Sequence, residues 1–438
     1  MNRFTVRLAA YAVAAAMMAM FASCGSEDEP KKEEDKPNPP ETEEPAKPNE
    51  RVDIDLTPAE AQLAKKTAML SYKVFRAAHE VERKEYKPQP NMVISPLCGI
   101  MAMEMIANGA SDDTYAQIME GLGLSTENIA EINGLNKKLL EQLPKLDNTV
   151  GFRLGNAAWM LEDVYDGMTP GFAACLEEYY GCMVRNMDSF VGLEPQWMIN
   201  DWGRELTRGL IYAMFDRPFH REMPFLLASA TYIKGKSKYS ISHPEIEGQF
   251  TNEDGSMSAA ILYMASGDDI CWYSDNYLDA VRLPYGNEAF STVMILPRDG
   301  ITLDECIAEM NPDKIYDLSC GGGQPINSAI LMREFTISHS SDMRPVFQKM
   351  GITKAFAPKT ALFTGINPKG KIYLGDMIQK TKVDVSSQTE AASEVTLAGL
   401  SKSSDPESGY LNVDRPFAFI IAERSTGLPL FMGRVTKL

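Results

Sequence analysis

The sequence predicts an α+β fold, and three observations carry that prediction. Segments with helical spacing dominate the first half of the chain, whereas strand-like segments dominate the second. Residues Arg415–Val435 read as a closing β-hairpin of two apolar strands. Apolar residues make up 44% of the 438, enough for a sizeable core, and no internal repeat points to a solenoid. Length alone allows about two or three domains.

Taken in order, the chain opens with Arg3 and Arg7, an apolar run Leu8–Phe21, and Phe21-Ala22-Ser23-Cys24. Residues 1–23 read as an export signal ending in a lipobox-like site, which makes Cys24 the acyl-carrying residue of the mature chain. A plain signal peptide with an incidental Cys24 is the alternative. The small residue before Cys24 and the hydrophilic stretch after it favour lipidation. That stretch, 24–51, is rich in Pro, Glu, Asp and Lys and nearly free of apolar residues. It cannot bury enough surface to fold, so an extended, self-repelling tether is expected. The net charge is −17, and removal of Arg3 and Arg7 with the signal makes it −19. So acidic a body repels nucleic acid and anionic headgroups, which leaves membrane attachment to the acyl chains. Glu27-Asp28-Glu29 just past Cys24 resembles signals that send some bacterial lipoproteins to the outer face of the outer membrane.

The folded part starts at Thr57-Pro58-Ala59-Glu60, a capping box with proline at the first helical position. Leu63, Thr67, Leu70, Val74 and Phe75 then form a helical packing stripe. Further helices are predicted over Gly99–Ala107, Asp112–Gly121 and Trp197–Leu206. Strands are predicted over Phe225–Ile233, Phe290–Leu296 and Glu334–Ile337. The hairpin joins Arg415–Ile421 to Leu430–Val435 through a turn at Arg424–Gly427.

Before that hairpin lies Thr389–Lys402, TEAASEVTLAGLSK, whose residues alternate. Thr389, Ala391, Ser393, Val395, Leu397 and Gly399 share one face of an extended chain and carry no charge. Ala392 and both carboxylates, Glu390 and Glu394, lie on the other. A polar, turn-prone run follows and belongs at the surface. An ordinary edge strand leading into a loop would show the same alternation.

The parts needed for catalysis are few. The four histidines, His79, His220, His243 and His339, share no metal-ligand spacing, and no G-x-S-x-G elbow occurs. Gly365–Ile372 nearly spells a P-loop, but it lacks the Ser/Thr for magnesium, and Pro368 removes a donor needed to cradle phosphate. Gly321-Gly322-Gly323 reads as a surface turn. Six further cysteines have neither disulfide-scaffold density nor CxxC spacing. Cys98 reads as a small buried hydrophobe, and a single bridge such as Cys306–Cys320 is compatible with an oxidising compartment. The sequence points to no cofactor, no metal and no enzyme activity.

The hinge T-E-A-A, a variable loop and a DRPF…FMGRV ending together resemble the serpin superfamily. Upstream blocks extend the resemblance in the family's order. They include Asn91–Leu97, Gly109-Ala110 with Thr114 and Gln117, and Ile199-Asn200 with Thr207, Gly209 and Ile211. Ile233-Lys234-Gly235, Leu283-Pro284-Tyr285, Ile295-Leu296-Pro297, Gly351-Ile352-Thr353 and Phe363-Thr364-Gly365 follow. The resemblance implies one domain over 52–438. It would hold a large mixed or antiparallel central sheet, packed helices and an exposed reactive loop at about 386–414.

It also implies a suicide-substrate inhibitor of serine proteases, with papain-like cysteine proteases as further targets, acting as a monomer. The hinge would be Thr389, Glu390, Ala391, Ala392 and Ser393. The family's cut lies about thirteen residues past the hinge threonine, which lands on Lys402-Ser403 and suits a trypsin-like enzyme. Lys402 is also the only basic residue between Thr389 and Arg415. A register slip would move the cut to Leu397, Leu400 or Tyr410. Four departures bear on the mechanism. Ser386-Ser387-Gln388 replaces the preferred E-E-G, and Ser237 a usual tryptophan. Gln379 replaces a common histidine, and Ser229 a common asparagine. Gln388 at the pivot predicts slower insertion, the other three predict a weakened latch over the insertion gap, and together they keep open a non-inhibitory binding or structural module.

Overall fold

The computed structural model describes residues 47–85, 88–124, 129–161, 167–188, 193–214, 225–242, 247–333, 335–369, 372–375, 377–385 and 410–438. The chain divides into two units, Met1–Pro45 and Ala46–Leu438, and every described residue belongs to the second. Among the described residues are nine α-helices and fifteen strands, and no helix is long and apolar enough to cross a membrane.

The longest helix, Pro58–Arg83, begins as its sequence demands. Thr57 N donates to Glu60 Oε2 at 2.8 Å while Glu60 N donates back to Thr57 Oγ1 at 3.3 Å. Its Leu63, Leu70, Val74 and Phe75 are buried as the stripe predicted. The next helix, Pro96–Ala107, starts three residues before its predicted Gly99, because Ser95 caps it and Pro96 fits the first turn. Asp112–Gly121 and Leu193–Leu206 are also helical.

The strands are β1 (Met92–Ile94), β2 (Gly151–Leu161), β3 (Met183–Met187), β4 (Phe225–Lys234), β5 (Ser240–Ser242), β6 (Glu247–Thr251), β7 (Met257–Ser274) and β8 (Leu278–Pro284). They continue with β9 (Phe290–Pro297), β10 (Gln324–Arg333), β11 (Phe335–Asp342), β12 (Ile378–Val385), β13 (Tyr410–Asn412), β14 (Phe417–Glu423) and β15 (Pro429–Val435). The predicted strand at Glu334–Ile337 is the start of β11, which runs on to Asp342 with strictly alternating burial.

A ten-stranded mixed sheet runs in the order β1-β15-β14-β9-β8-β7-β10-β13, with β5 and β6 also on β7. Its β10–β13 pair is parallel and the rest are antiparallel. The closing hairpin β14–β15 is buried on both faces, which is why its sequence reads as apolar runs rather than alternation. Its turn is held by the buried Glu423 carboxylate, which accepts Ser425 N at 2.7 Å and Thr426 N at 2.9 Å. Gly427 closes it at φ 64°, where a Cβ would also meet the Tyr316 ring at 2.4 Å.

Two smaller sheets stand apart from that ladder: β3-β2-β4 and β11-β12. Helix Leu193–Leu206 packs on β2 and β4, where Trp202 meets the Trp159 ring edge-on at 5.8 Å.

The cysteines correct one expectation. Cys306 and Cys320 are both free thiols, as are Cys98, Cys175, Cys182 and Cys271. Cys306 is sealed inside helix Leu303–Glu309, and Cys320 follows helix Pro312–Ser319, so each thiol is held by its own helix end.

Candidate functional site

The two small sheets face each other across β4 and β12. β4 is laddered to β2 along its whole length, from Met160↔Phe225 to Gly151↔Lys234. β12 is laddered to β11 from Asp342↔Ile378 to Phe335↔Val385. The strands lie side by side, yet among the described residues no ladder joins them. Each therefore presents an edge whose backbone donors and acceptors lack a strand partner.

A cavity opens at each end of this seam. The smaller, about 60 Å³, is lined by Phe225, Leu227 and Ser229 of β4 and by Ile378 and Gln379 of β12. The larger, about 340 Å³, is lined by Tyr232, Ile233 and Lys234 of β4 and by Lys382, Val383 and Val385 of β12. The amino-terminal residues of both strands share one cavity and the carboxy-terminal residues share the other. β4 and β12 hence run in the same direction. The chain leaving β12 at Val385 emerges at the larger cavity, and a segment folding back there would run antiparallel to both neighbours.

The seam's floor is helix Pro96–Ala107. Gln379 is buried; its side chain accepts Ser95 N at 3.0 Å and donates to Ser95 O at 2.8 Å. On the other side, Cys98 Sγ bonds Thr231 Oγ1, and burial pushes this thiol up, so it is a spacer and not a nucleophile. Ser229 Oγ donates to Asn156 Oδ1 at 2.7 Å, and Asn156 Nδ2 donates to Tyr180 O at 2.9 Å. The polar groups of Gln379 and Ser229 are thus satisfied, and none of these bonds crosses from β12 to β4. Each ties its own sheet to its own support. Ser237 lines the larger cavity, so the small side chain does leave space there.

The blocks scattered through the sequence meet in space. Gly365 N donates to Gly109 O at 3.1 Å, Ser111 N to Leu362 O at 2.9 Å, and a Cβ on Gly109 would meet Ile366 at 2.2 Å. Gln117 Oε1 accepts Thr353 N at 2.8 Å and Lys354 N at 2.6 Å. The P-loop look-alike is part of this packing: Asn367 Nδ2 donates to Gly167 O at 2.7 Å and Ile366 is fully buried. Among the described residues, no group of three or more His, Cys, Asp or Glu side chains could hold a metal ion.

The hinge Thr389–Ser393, its base Ser386-Ser387-Gln388, the bond Lys402-Ser403, the alternatives Leu397 and Leu400, and Cys24 all lie outside the described residues. The anchors of the loop do not. Val385 ends β12, and Tyr410 begins β13, paired in parallel with Ala329 on the ten-stranded sheet. The expected loop boundary of 414 is thereby corrected, because 410–412 is strand. Tyr410 is buried, 6% exposed, among Met264 and Leu331, which removes it as a cut site: a bond held in a ladder is not offered to a protease.

A family model described as Serpin (serine protease inhibitor) matches residues 67–438. Glia-derived nexin of Mus musculus is 28% identical over 370 residues, covering 80% of this chain and 88% of that one. Iripin-8 of Ixodes ricinus is 25% identical over 358 residues, with the same two shares. Among solved structures, the thermophilic serpin Tengpin in its native state superposes with a TM-score of 0.73 at 22% identity, covering 90% of this chain and 98% of that one. The same serpin in its latent state gives 0.70, over 88% of this chain and all of that one. Extended family match and shared architecture agree: the chain belongs to the serpin family of serine protease inhibitors.

Proposed function

We propose that this chain inhibits secreted serine proteases as a suicide substrate, through cleavage of its loop at Lys402-Ser403 and insertion of the freed segment between β4 and β12. The observation that carries this reading is the seam: two unladdered strand edges, running the same way, with the loop departing from one of them. Thr389–Gly399 has the pattern the seam requires. Gln379, Thr381 and Val383 alternate as the buried residues of β12, so a neighbouring strand must bury every second residue as well. The set Thr389, Ala391, Ser393, Val395, Leu397 and Gly399 is small or apolar throughout, while Glu390 and Glu394 keep to the other face.

The steps follow ordinary acyl-transfer chemistry. The protease serine attacks the Lys402 carbonyl, the Lys402–Ser403 bond breaks, and the Ser403 amine leaves with a proton from the protease histidine. The ester to Lys402 remains. The segment from Thr389 to Lys402 then adds a strand, moving the attached enzyme by about 40 Å at ~3.3 Å per residue. Distortion of the enzyme keeps the ester from water. A papain-like protease would leave a thioester instead. Lys402 favours an enzyme whose specificity pocket holds an acid.

We place the inhibitor outside the cytoplasm as a monomer, held by acyl chains on Cys24 through the tether 24–51, at the outer membrane or cell surface of a bacterium or facing its periplasm. Its acidity leaves no role for nucleic acid.

Incubation with trypsin tests the reading. An adduct that survives boiling in detergent is expected, and Lys402→Ala should abolish it. Clean cleavage without adduct would establish the second reading, a non-inhibitory module, which Gln388 in place of a hinge glycine favours.

A further inference from the structure

We propose that the larger cavity, at the Lys234–Val385 end of the seam, is a binding site for an apolar monoanion, an alkyl or aryl carboxylate. Its volume of about 340 Å³ falls within the usual range for small-molecule sites, roughly 300–1,000 Å³. One part of the wall is apolar, formed by Leu283, Met332, Val383 and Ile421, and Tyr285 and Thr292 line another. Gly235 and Ser237 contribute little bulk on one side, which is why the space exists.

The charge around this wall is of one sign. Arg208, Lys234 and Lys382 line the cavity, and among the described residues no Asp or Glu does. Two nearby cations outside it are matched with acids: Lys238 sits 2.9 Å from Asp269 and 2.7 Å from Glu288, and Arg282 sits 3.6 Å from Glu288. Among the described residues, none of the three lining cations has a carboxylate within ion-pair distance. In a chain of net charge −17, three unmatched cations around one apolar hollow mark a place built for a negative group. Arg208 adds a second sign, because it holds φ 51°, a left-handed backbone that is unfavourable for a non-glycine residue.

A carboxylate with an apolar body satisfies both halves: the body replaces water against Leu283, Met332 and Ile421, and the charge stays at the mouth beside Lys234 and Lys382. The same mouth is where the chain leaves β12, so a bound carboxylate would oppose entry of the hinge. That consequence rests on the inhibitory reading; the binding does not.

Calorimetric titration of the intact protein with decanoate and with 2-naphthoate is the test, and the two arms separate an alkyl from an aryl ligand. Saturable one-to-one binding of at least one of them is expected, at least tenfold tighter than decanol or 2-naphthol. The variant R208A/K234A/K382A, altered only at exposed or half-buried positions, should bind at least tenfold more weakly. Ser237→Trp should abolish binding by filling the space, with an unchanged circular-dichroism spectrum in both variants. Absence of binding by both carboxylates, equal binding by the neutral counterparts, or undiminished binding by the triple variant would each overturn the site. A protein that binds decanoate yet forms no adduct with trypsin would keep the site and lose the inhibitor.

Discussion

The closing hairpin and the seam are built from the same kind of strand, but they end in opposite states. β14 is laddered on both edges, to β9 and to β15, and every one of its residues is buried. Among the described residues, β4 and β12 are each laddered on one edge only, and cavities of about 340 and 60 Å³ lie along the other. One region has spent its hydrogen bonds and its packing. The other leaves room for a further strand, and under the proposed function the native form would be held by a barrier rather than by depth.

The largest way to break this contrast is to fill the seam. A nick at the loop should let Thr389–Gly399 add about twenty backbone hydrogen bonds at ~0.5 kcal/mol each, an order of 10 kcal/mol. The melting temperature of the nicked protein should rise by at least about 10 °C, measured by calorimetry against the intact chain. Ser393→Glu places a charge on the face that must be buried, so the nicked variant should melt close to its intact form. An equal rise in wild type and variant would dissolve the distinction between the two regions.

The finished region should respond differently. Phe419 of β14 is fully buried, its ring 5.3 Å from that of Phe335 and pressed against Gly433. Phe419→Ala should cost about 3–5 kcal/mol in denaturant unfolding, intact or nicked. Val383→Ala, on the seam, should cost less, because its neighbour on one side is a cavity.

Much of this contrast could be read from residues. The hairpin showed itself by uninterrupted apolar runs, and the capping box at Thr57 by four letters. The alternation at Thr389–Gly399 stated what a slot would need before any slot was visible. Other features depended on folding. Gln379 and Ser229 looked like losses because a sequence shows a substituted side chain and not its new partners, Ser95 and Asn156. Tyr410 looked exposed because the polar run before it hid the start of β13. Arg208, Lys234 and Lys382 are far apart in the chain, and only the meeting of β4 with β12 makes them a cluster.

A third test sharpens the contrast through pH. Glu104, in the helix beneath the seam, is 2% exposed, and burial pushes its carboxyl up to about 8; Asn136 Nδ2 donates to it at 2.8 Å, a smaller opposing effect. Its folded pKa lies above the unfolded value of 4.5, so its contribution is intact below 4.5 and is lost as pH rises toward 8. Glu104→Gln should therefore stabilise the protein by about 1–3 kcal/mol at pH 7–8 and not at all at pH 4, read as midpoint shifts in urea. A pH-independent effect would mean that the carboxyl is not held neutral by its surroundings.

The smallest effect should come from Gln379, and it bears on the seam alone. Its amide closes two bonds to the Ser95 backbone, at 3.0 and 2.8 Å, and so pins β12 to the cap of helix Pro96–Ala107. Gln379→Ala removes both and leaves the Ser95 groups unpaired, a cost of about 1–2 kcal/mol. In the hairpin such a change would lower stability and do nothing else. In the seam it should also free β12 to move away from β4, so that nicked protein converts to its heat-resistant form faster than wild type. Timed heating of freshly nicked samples separates the two cases: an unchanged conversion rate would show that the pin holds the helix cap and not the gap.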